Sequence, residues 1–255
     1  MSFGLLSVYA IAVMLFVVWL ISIIRRDAGI IDIFWGLGFG LIALLALLNF
    51  PEAKLEIRLT YILVTLWALR LASHLTRRWL HEDEEDKRYQ SMRRRAGSIF
   101  WLKSLFTVFG LQGALILLIA QPLIQLTSYA ATPMVAPAFY LFLIIACIGL
   151  AIETIADRQL TAFRAAGTGG ILQTGLWARS RHPNYFGDAL FWWGISLAVI
   201  TIAPELIWTL VSPLIMNILL VKVSGAELLE KYMQKRDGYA DYQARTNRFM
   251  PRLFG

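Results

Sequence analysis

Arg179, Arg181, His182, Asn184 and Asp188 fall within one ten-residue stretch, "RSRHPNYFGD" (179–188), on the threshold of about twenty mostly apolar residues. Pro183 suits the first turn of a helix, where its missing N–H leaves no bond unmade. Asn184 and Asp188 then lie four apart on one face, which Phe191 and Trp192 continue. Arg181 and His182 stand just before the helix begins. An amide, a carboxylate and flanking arginines suit a ligand with hydroxyl, amide and phosphate groups, such as a nucleotide cofactor. The plainer alternative is a helix cap plus an interhelical hydrogen bond.

Two more clusters place ionisable groups beside apolar runs, where each costs about 2.5–3.5 kcal/mol to bury in a bilayer. In "ETIADRQLTAFR" (153–164), Glu153 and Asp157 share a helix face and Arg164 lies two turns on. A solvated helix end would explain these equally. Asp32 opens a second apolar segment, and Arg70 and His74 sit four apart in a third, where mutual pairing of buried charges is the simpler account. No HxxxH, HExxH or CxxC spacing occurs, so no metal site is expected. "GTGG" (167–170) follows no strand pattern, which makes it a tight connection between helices rather than a dinucleotide loop. Cys147, the one cysteine, excludes an internal disulfide and is expected as a small core residue. The tail, "KRDGYADYQARTNRFMPRLFG", carries Tyr239, Tyr242 and Phe249, which suggest a lid folded over the helix ends; a surface amphipathic helix is the alternative.

The elements that must position these groups are membrane spans. Of 255 residues, 58% are hydrophobic, too apolar for an ordinary soluble domain. The first segment runs straight into Arg25 and Arg26, as a retained span does and a cleaved signal does not. Windows of about twenty apolar residues place seven transmembrane helices near 3–24, 30–50, 59–80, 99–126, 135–152, 183–202 and 204–222. Lys and Arg crowd the connections after the first, third and fifth spans and the tail, while the other connections hold only Lys54 and Arg58. That alternation puts the N-terminus outside and the C-terminus in the cytoplasm. The expected fold is therefore an all-α integral membrane protein of seven helices. The net charge of +7 is a topology signal, with "RRRAG" (93–97) touching anionic head groups, and needs no nucleic-acid partner.

"SRHPNYFGD", the aromatic-rich span after it and a Y-x-x-Y tail ending in aromatic-x-P together resemble the steroid 5-alpha-reductase family, and its bacterial branch most. The same signature is similar to that of the sterol C14-reductases and, more distantly, the isoprenylcysteine carboxyl methyltransferases. The match is specific over about the last hundred residues; "DIFWGLGF" (32–39) and "EDEEDKRYQSMRRR" (82–95) extend it more weakly. The resemblance implies one seven-helix domain over 1–255, with 1–98 as substrate-side half and 99–255 as cofactor-binding half. It implies a bacterial inner (cytoplasmic) membrane and an apolar small-molecule substrate. It also implies NADPH, with Asn184 and Asp188 on the nicotinamide and ribose side and Asp157 and Arg164 on ribose and phosphate. Arg179, Arg181, His182 and Tyr185 of the motif join these contacts, and Tyr239 and Tyr242 cover the cofactor.

On the substrate side the chain departs from the family. The steroid reductases place a Gln-Glu pair and a Tyr around the substrate carbonyl; here Asp32 takes the carboxylate position and Trp67 stands where the Tyr would be. Trp67 cannot donate a proton as a phenol does, which leaves His74 or Tyr61 as substitutes. The expected reaction is reduction of a carbon–carbon double bond conjugated to a carbonyl in a lipid-like substrate. Asp32, kept protonated by an apolar setting, would polarise the carbonyl, and His74 is the second catalytic candidate. The competing readings are an S-adenosylmethionine-dependent methyltransferase and a non-catalytic membrane scaffold.

Overall fold

The computed structural model describes residues 1–81, 84–131, 137–167, 169–223 and 225–252, and among them every regular element is helical. Packing divides the chain into two compact units, Met1–Met134 and Val135–Gly255. The division at 98/99 read from the motifs is a functional one; by packing, 99–134 belong with the first unit.

In the first unit, α1 (Phe3–Arg25) starts where Ser2 Oγ accepts the Leu5 N–H at 3.3 Å and stops where Arg26 turns left-handed at φ 55°. Asp27 Oδ1 then caps Gly29 N at 2.8 Å and leads through a short 3₁₀ turn into α2 (Ile31–Asn49). α3 (Leu55–Leu80) packs along α2. The approach is close: a Cβ on Gly40 would meet the Ala68 Cβ at 2.7 Å. Phe39 and Trp67, both fully buried, meet edge to face with centroids 5.8 Å apart. Asp86 caps α4 (Lys87–Ala96). The span read at 99–126 is built in pieces: α5 (Phe100–Ser104), a π-helical segment over 105–110, α6 (Leu111–Ile119) and α7 (Gln121–Leu126). The interruption at Ala120 falls just before Pro122, which lacks the N–H that a continuous helix would need there.

In the second unit, α8 (Pro137–Ala165) continues well past the expected end at 152. It pairs with α9 (Pro183–Ile202), whose start and finish match the sequence reading. A Cβ on Gly187 would meet Glu153 N at 2.5 Å, and one on Gly194 would meet Ala146 N at 2.6 Å. The pairing of later α9 residues with earlier α8 residues makes the two antiparallel, with backbones nearly touching. The last apolar segment is a 3₁₀ stretch over 204–210, α10 (Val211–Ile218) and a π-helical segment over 219–223. The tail supplies α11 (Ala226–Met233) and α12 (Tyr239–Arg245).

Six helical stretches among the described residues are long and apolar enough to cross a membrane. α3 is not among them. It has 26 residues and carries Arg58, Arg70, Arg77 and Arg78. Its exposed face still carries Ile62, Leu66 and Leu69, and α1 likewise exposes Val13, Phe16 and Leu20, as lipid-facing helices do. Cys147 also lies on an exposed face, of α8, and not in the core as expected; the close contact with α9 uses the Ala146 and Gly149 side instead. "GTGG" is a tight connection, with Gly167, Gly169 and Gly170 all at positive φ; Thr168 lies outside the described residues.

Candidate functional site

The glycine contact brings the polar faces of α8 and α9 together. Asp157 is 5% exposed, and its Oδ1 accepts Asn184 Nδ2 at 3.1 Å. Glu153, one turn earlier on α8, and Asp188, one turn later on α9, are buried too. The solvated helix end that would explain Glu153 and Asp157 trivially is thus excluded. Asn184 Oδ1 is buried with no hydrogen-bond partner among the described residues. The stripe extends past Trp192 to Ser196, fully buried and, among the described residues, also without a partner at Oγ. Nearby helical hydroxyls bond their own backbone, Thr154 to Leu150 O at 2.6 Å and Thr201 to Ala198 O at 2.7 Å. Ser196 does not. A buried polar atom left unsatisfied costs about 1–3 kcal/mol, which makes these atoms the candidates for contact with a bound molecule.

The entrance to this stripe is clamped by the tail. Residues 179–181 pair with the last described residues: Arg181 N–H donates to Asn247 O at 2.9 Å and Arg252 N–H to Arg179 O at 3.0 Å. Ser180 Oγ donates to Phe249 O at 2.8 Å and Tyr242 OH to Trp177 O at 2.6 Å. Trp177 in turn donates through Nε1 to Ala156 O at 3.1 Å, fastening the segment beside Asp157. Tyr239 and Tyr242 are buried, so the tail folds back as a lid and not as a free surface helix.

Within the clamp, Arg181 Nε donates to Glu230 Oε1 at 2.8 Å and Arg181 Nη1 to Thr246 O at 2.6 Å. His182 Nε2 lies 3.2 Å from Glu230 Oε1, and Arg248 Nε 3.3 Å from Oε2. Burial pushes the Glu230 carboxyl up; the hydrogen bonds from His182 and Arg181, with the Arg181 charge, outweigh it and bring the pKa down to about 2. The His182 ring stacks on Tyr185, centroids 5.5 Å apart and planes within 3°. Arg164 and Arg179 are exposed, one in the last turn of α8 and one just before α9.

Asp32 and His74 lie in the first unit. Asp32 Oδ2 accepts Arg88 Nη2 at 2.6 Å, and Oδ1 accepts Tyr89 OH at 2.7 Å. Both oxygens therefore act as acceptors beside a guanidinium and a phenol, a polar setting where an apolar one was expected. The small cavity beside Asp32 has a mixed wall, with Asp27, Arg78, Glu84 and Asp86 on one hand and Ile33, Leu75 and Trp79 on the other. His74 is half-buried on α3. Tyr61 donates to Leu123 O at 2.9 Å, and Trp67 is packed in the core. The phenol that stands beside Asp32 is on α4, as Tyr89.

Sequence reasoning missed Tyr89, Glu230 and Ser196. Tyr89 sits in a charge run that reads as a topology signal. Glu230 resembles a surface residue of an amphipathic helix. Ser196 alone had a legible signal, falling four residues beyond Trp192 on the Asn184–Asp188–Trp192 face.

Apolar helices with lipid-type exposed faces and a buried polar stripe define an integral membrane protein with an internal polar site. The chain belongs to the DUF1295 family, described as a protein of unknown function, whose model matches residues 18–246. No curated protein and no solved structure matches it.

Proposed function

We propose that the protein is a membrane-embedded, NADPH-dependent reductase of carbon–carbon double bonds conjugated to a carbonyl, of the steroid 5-alpha-reductase type. Asn184 carries the reading: its Nδ2 is committed to Asp157 and its Oδ1 is a buried acceptor with no donor among the described residues. Such an acceptor fits the amide or a hydroxyl of a nucleotide. Asp157 and Asp188 supply carboxylates for ribose hydroxyls, and Arg164, Arg179 and Arg181 supply positive charge for phosphates. NADPH, when bound, supplies the hydride. The tail clamp excludes water from the entrance and holds Arg181 and His182 in place. On the acid side, the reading now rests on Asp32 with Tyr89 and Arg88, whose donors would act on developing oxyanion charge. His74 remains the second candidate.

The same reading takes α3 as a seventh span, on its length and its exposed leucines, with the N-terminus outside and the C-terminus in the cytoplasm of a bacterial inner membrane. An apolar substrate would enter from the bilayer.

Detergent-purified protein given NADPH and a panel of lipid-like enones should oxidise NADPH only when an enone is present. Binding of S-adenosylmethionine in place of NADPH would turn the assignment to a methyltransferase. Binding of neither would leave a non-catalytic scaffold.

A further inference from the structure

Glu230 stands outside every motif, yet three nitrogen-bearing side chains converge on it: Arg181 at 2.8 Å, His182 at 3.2 Å and Arg248 at 3.3 Å. An ionised carboxylate only accepts hydrogen bonds, so the imidazole nitrogen turned toward it must carry a proton. That nitrogen is Nε2. The ring plane is fixed independently by the stack on Tyr185. The backbone N–H of His182 is taken by Ser180 Oγ at 3.1 Å. In the neutral ring Nδ1 is then the bare nitrogen, and it makes no hydrogen bond among the described residues. His182 immediately precedes α9, two residues before Asn184.

We propose that Glu230 is a positioning residue that fixes the His182 tautomer with the proton on Nε2, leaving Nδ1 to accept a hydrogen bond from a hydroxyl or amide of the bound nucleotide. The ligand half of this assignment rests on the reductase reading; the tautomer half does not. Arg181 gains from the same contact, since Glu230 and the Thr246 carbonyl hold its guanidinium from two sides. The carboxylate thus sets two neighbouring motif residues at once.

Two measurements on the full-length protein in detergent test this. Nitrogen-15 NMR of histidine-labelled protein, which has only three histidines, with His182 identified by its loss in His182→Gln, should show the Nε2–H form. In Glu230→Ala the signal should shift toward a mixture of tautomers, as a merely structural contact would not require. An unchanged tautomer in Glu230→Ala overturns the positioning role. The second measurement is NADPH affinity. The amide of His182→Gln reaches where Nε2 stands and keeps the Glu230 contact without replacing Nδ1, whereas that of His182→Asn stands near Nδ1. His182→Gln should bind NADPH at least tenfold more weakly at unchanged thermal stability, and His182→Asn should lose less. Wild-type affinity in His182→Gln shows that Nδ1 meets no ligand. Failure of the wild-type protein to bind NADPH at all removes the reductase reading and the ligand of Nδ1 together, and the NMR result still decides what Glu230 does.

Discussion

A carboxylate in the tail governs residues of a motif some fifty positions earlier, and its ionisation gives that link a pH signature. Glu230 has a folded pKa of about 2, below the ordinary carboxyl value near 4.3. A group depressed in this way adds stability that is fully present above its unfolded value and lost as pH falls through the folded one. Amide exchange of residues 247–252 should therefore stay protected at pH 5 and lose protection progressively on the way to about pH 2, and Glu230→Gln should lack that step. Asp32 carries a separate prediction. With both oxygens engaged by Arg88 and Tyr89, Asp32→Asn should lower enone turnover far more than NADPH affinity; equal losses would show the residue to be structural. Asn184 and Asp188 were legible in the sequence because their spacing of four reports one helix face. Tyr89 and Glu230 were not. Asp32 and Tyr89 are 57 residues apart, as are many pairs with no contact, and only the folded path of the chain brings them together.

At the scale of elements, the site depends on how closely α8 and α9 approach. Glycine is required where one backbone lies against another, and a side chain at Gly187 would run into Glu153 N at 2.5 Å and Gly149 O at 2.7 Å. Gly187→Val should force the helices apart, lower the melting temperature by several degrees, consistent with about 1–3 kcal/mol for overpacking, and weaken the Asn184–Asp157 pair with it. Gly4→Ala is the control: its new methyl would meet only Ile124 at 3.7 Å, so stability should hold or rise, as helical Ala exceeds Gly by about 1 kcal/mol. Thermal unfolding in detergent checks both. The bounds of α9 were readable from Pro183 and the apolar run behind it. The extent of α8 was not, because Glu153 and Asp157 look like an exit from the bilayer until their burial against α9 is known. The broken helices over 100–126 and 204–223 were hidden for a similar reason: hydropathy measures length and polarity, and π and 3₁₀ segments leave both unchanged.

For the whole molecule, topology follows from α3. If it spans, Lys54 lies outside and Arg94 inside; if it does not, both lie on one side. Single cysteines placed at these positions in a Cys147→Ser background should react with a membrane-impermeant maleimide from opposite faces of the membrane, and labelling from the same face would reduce the count to six. The membrane class was plain from composition because burial in lipid needs apolar surface all along the helix. The division at Met134–Val135 was not, since packing between helices leaves little trace in hydropathy. The proposed reductase requires a nucleotide held by the polar faces of α8 and α9. Its most direct test is equilibrium titration of NADPH into purified wild-type protein and Asn184→Ala. Saturable binding, weakened about 2- to 12-fold in the variant as loss of a hydrogen bond to a neutral amide or hydroxyl implies, is the predicted result. No binding by the wild-type protein, or equal affinity in both, would contradict it.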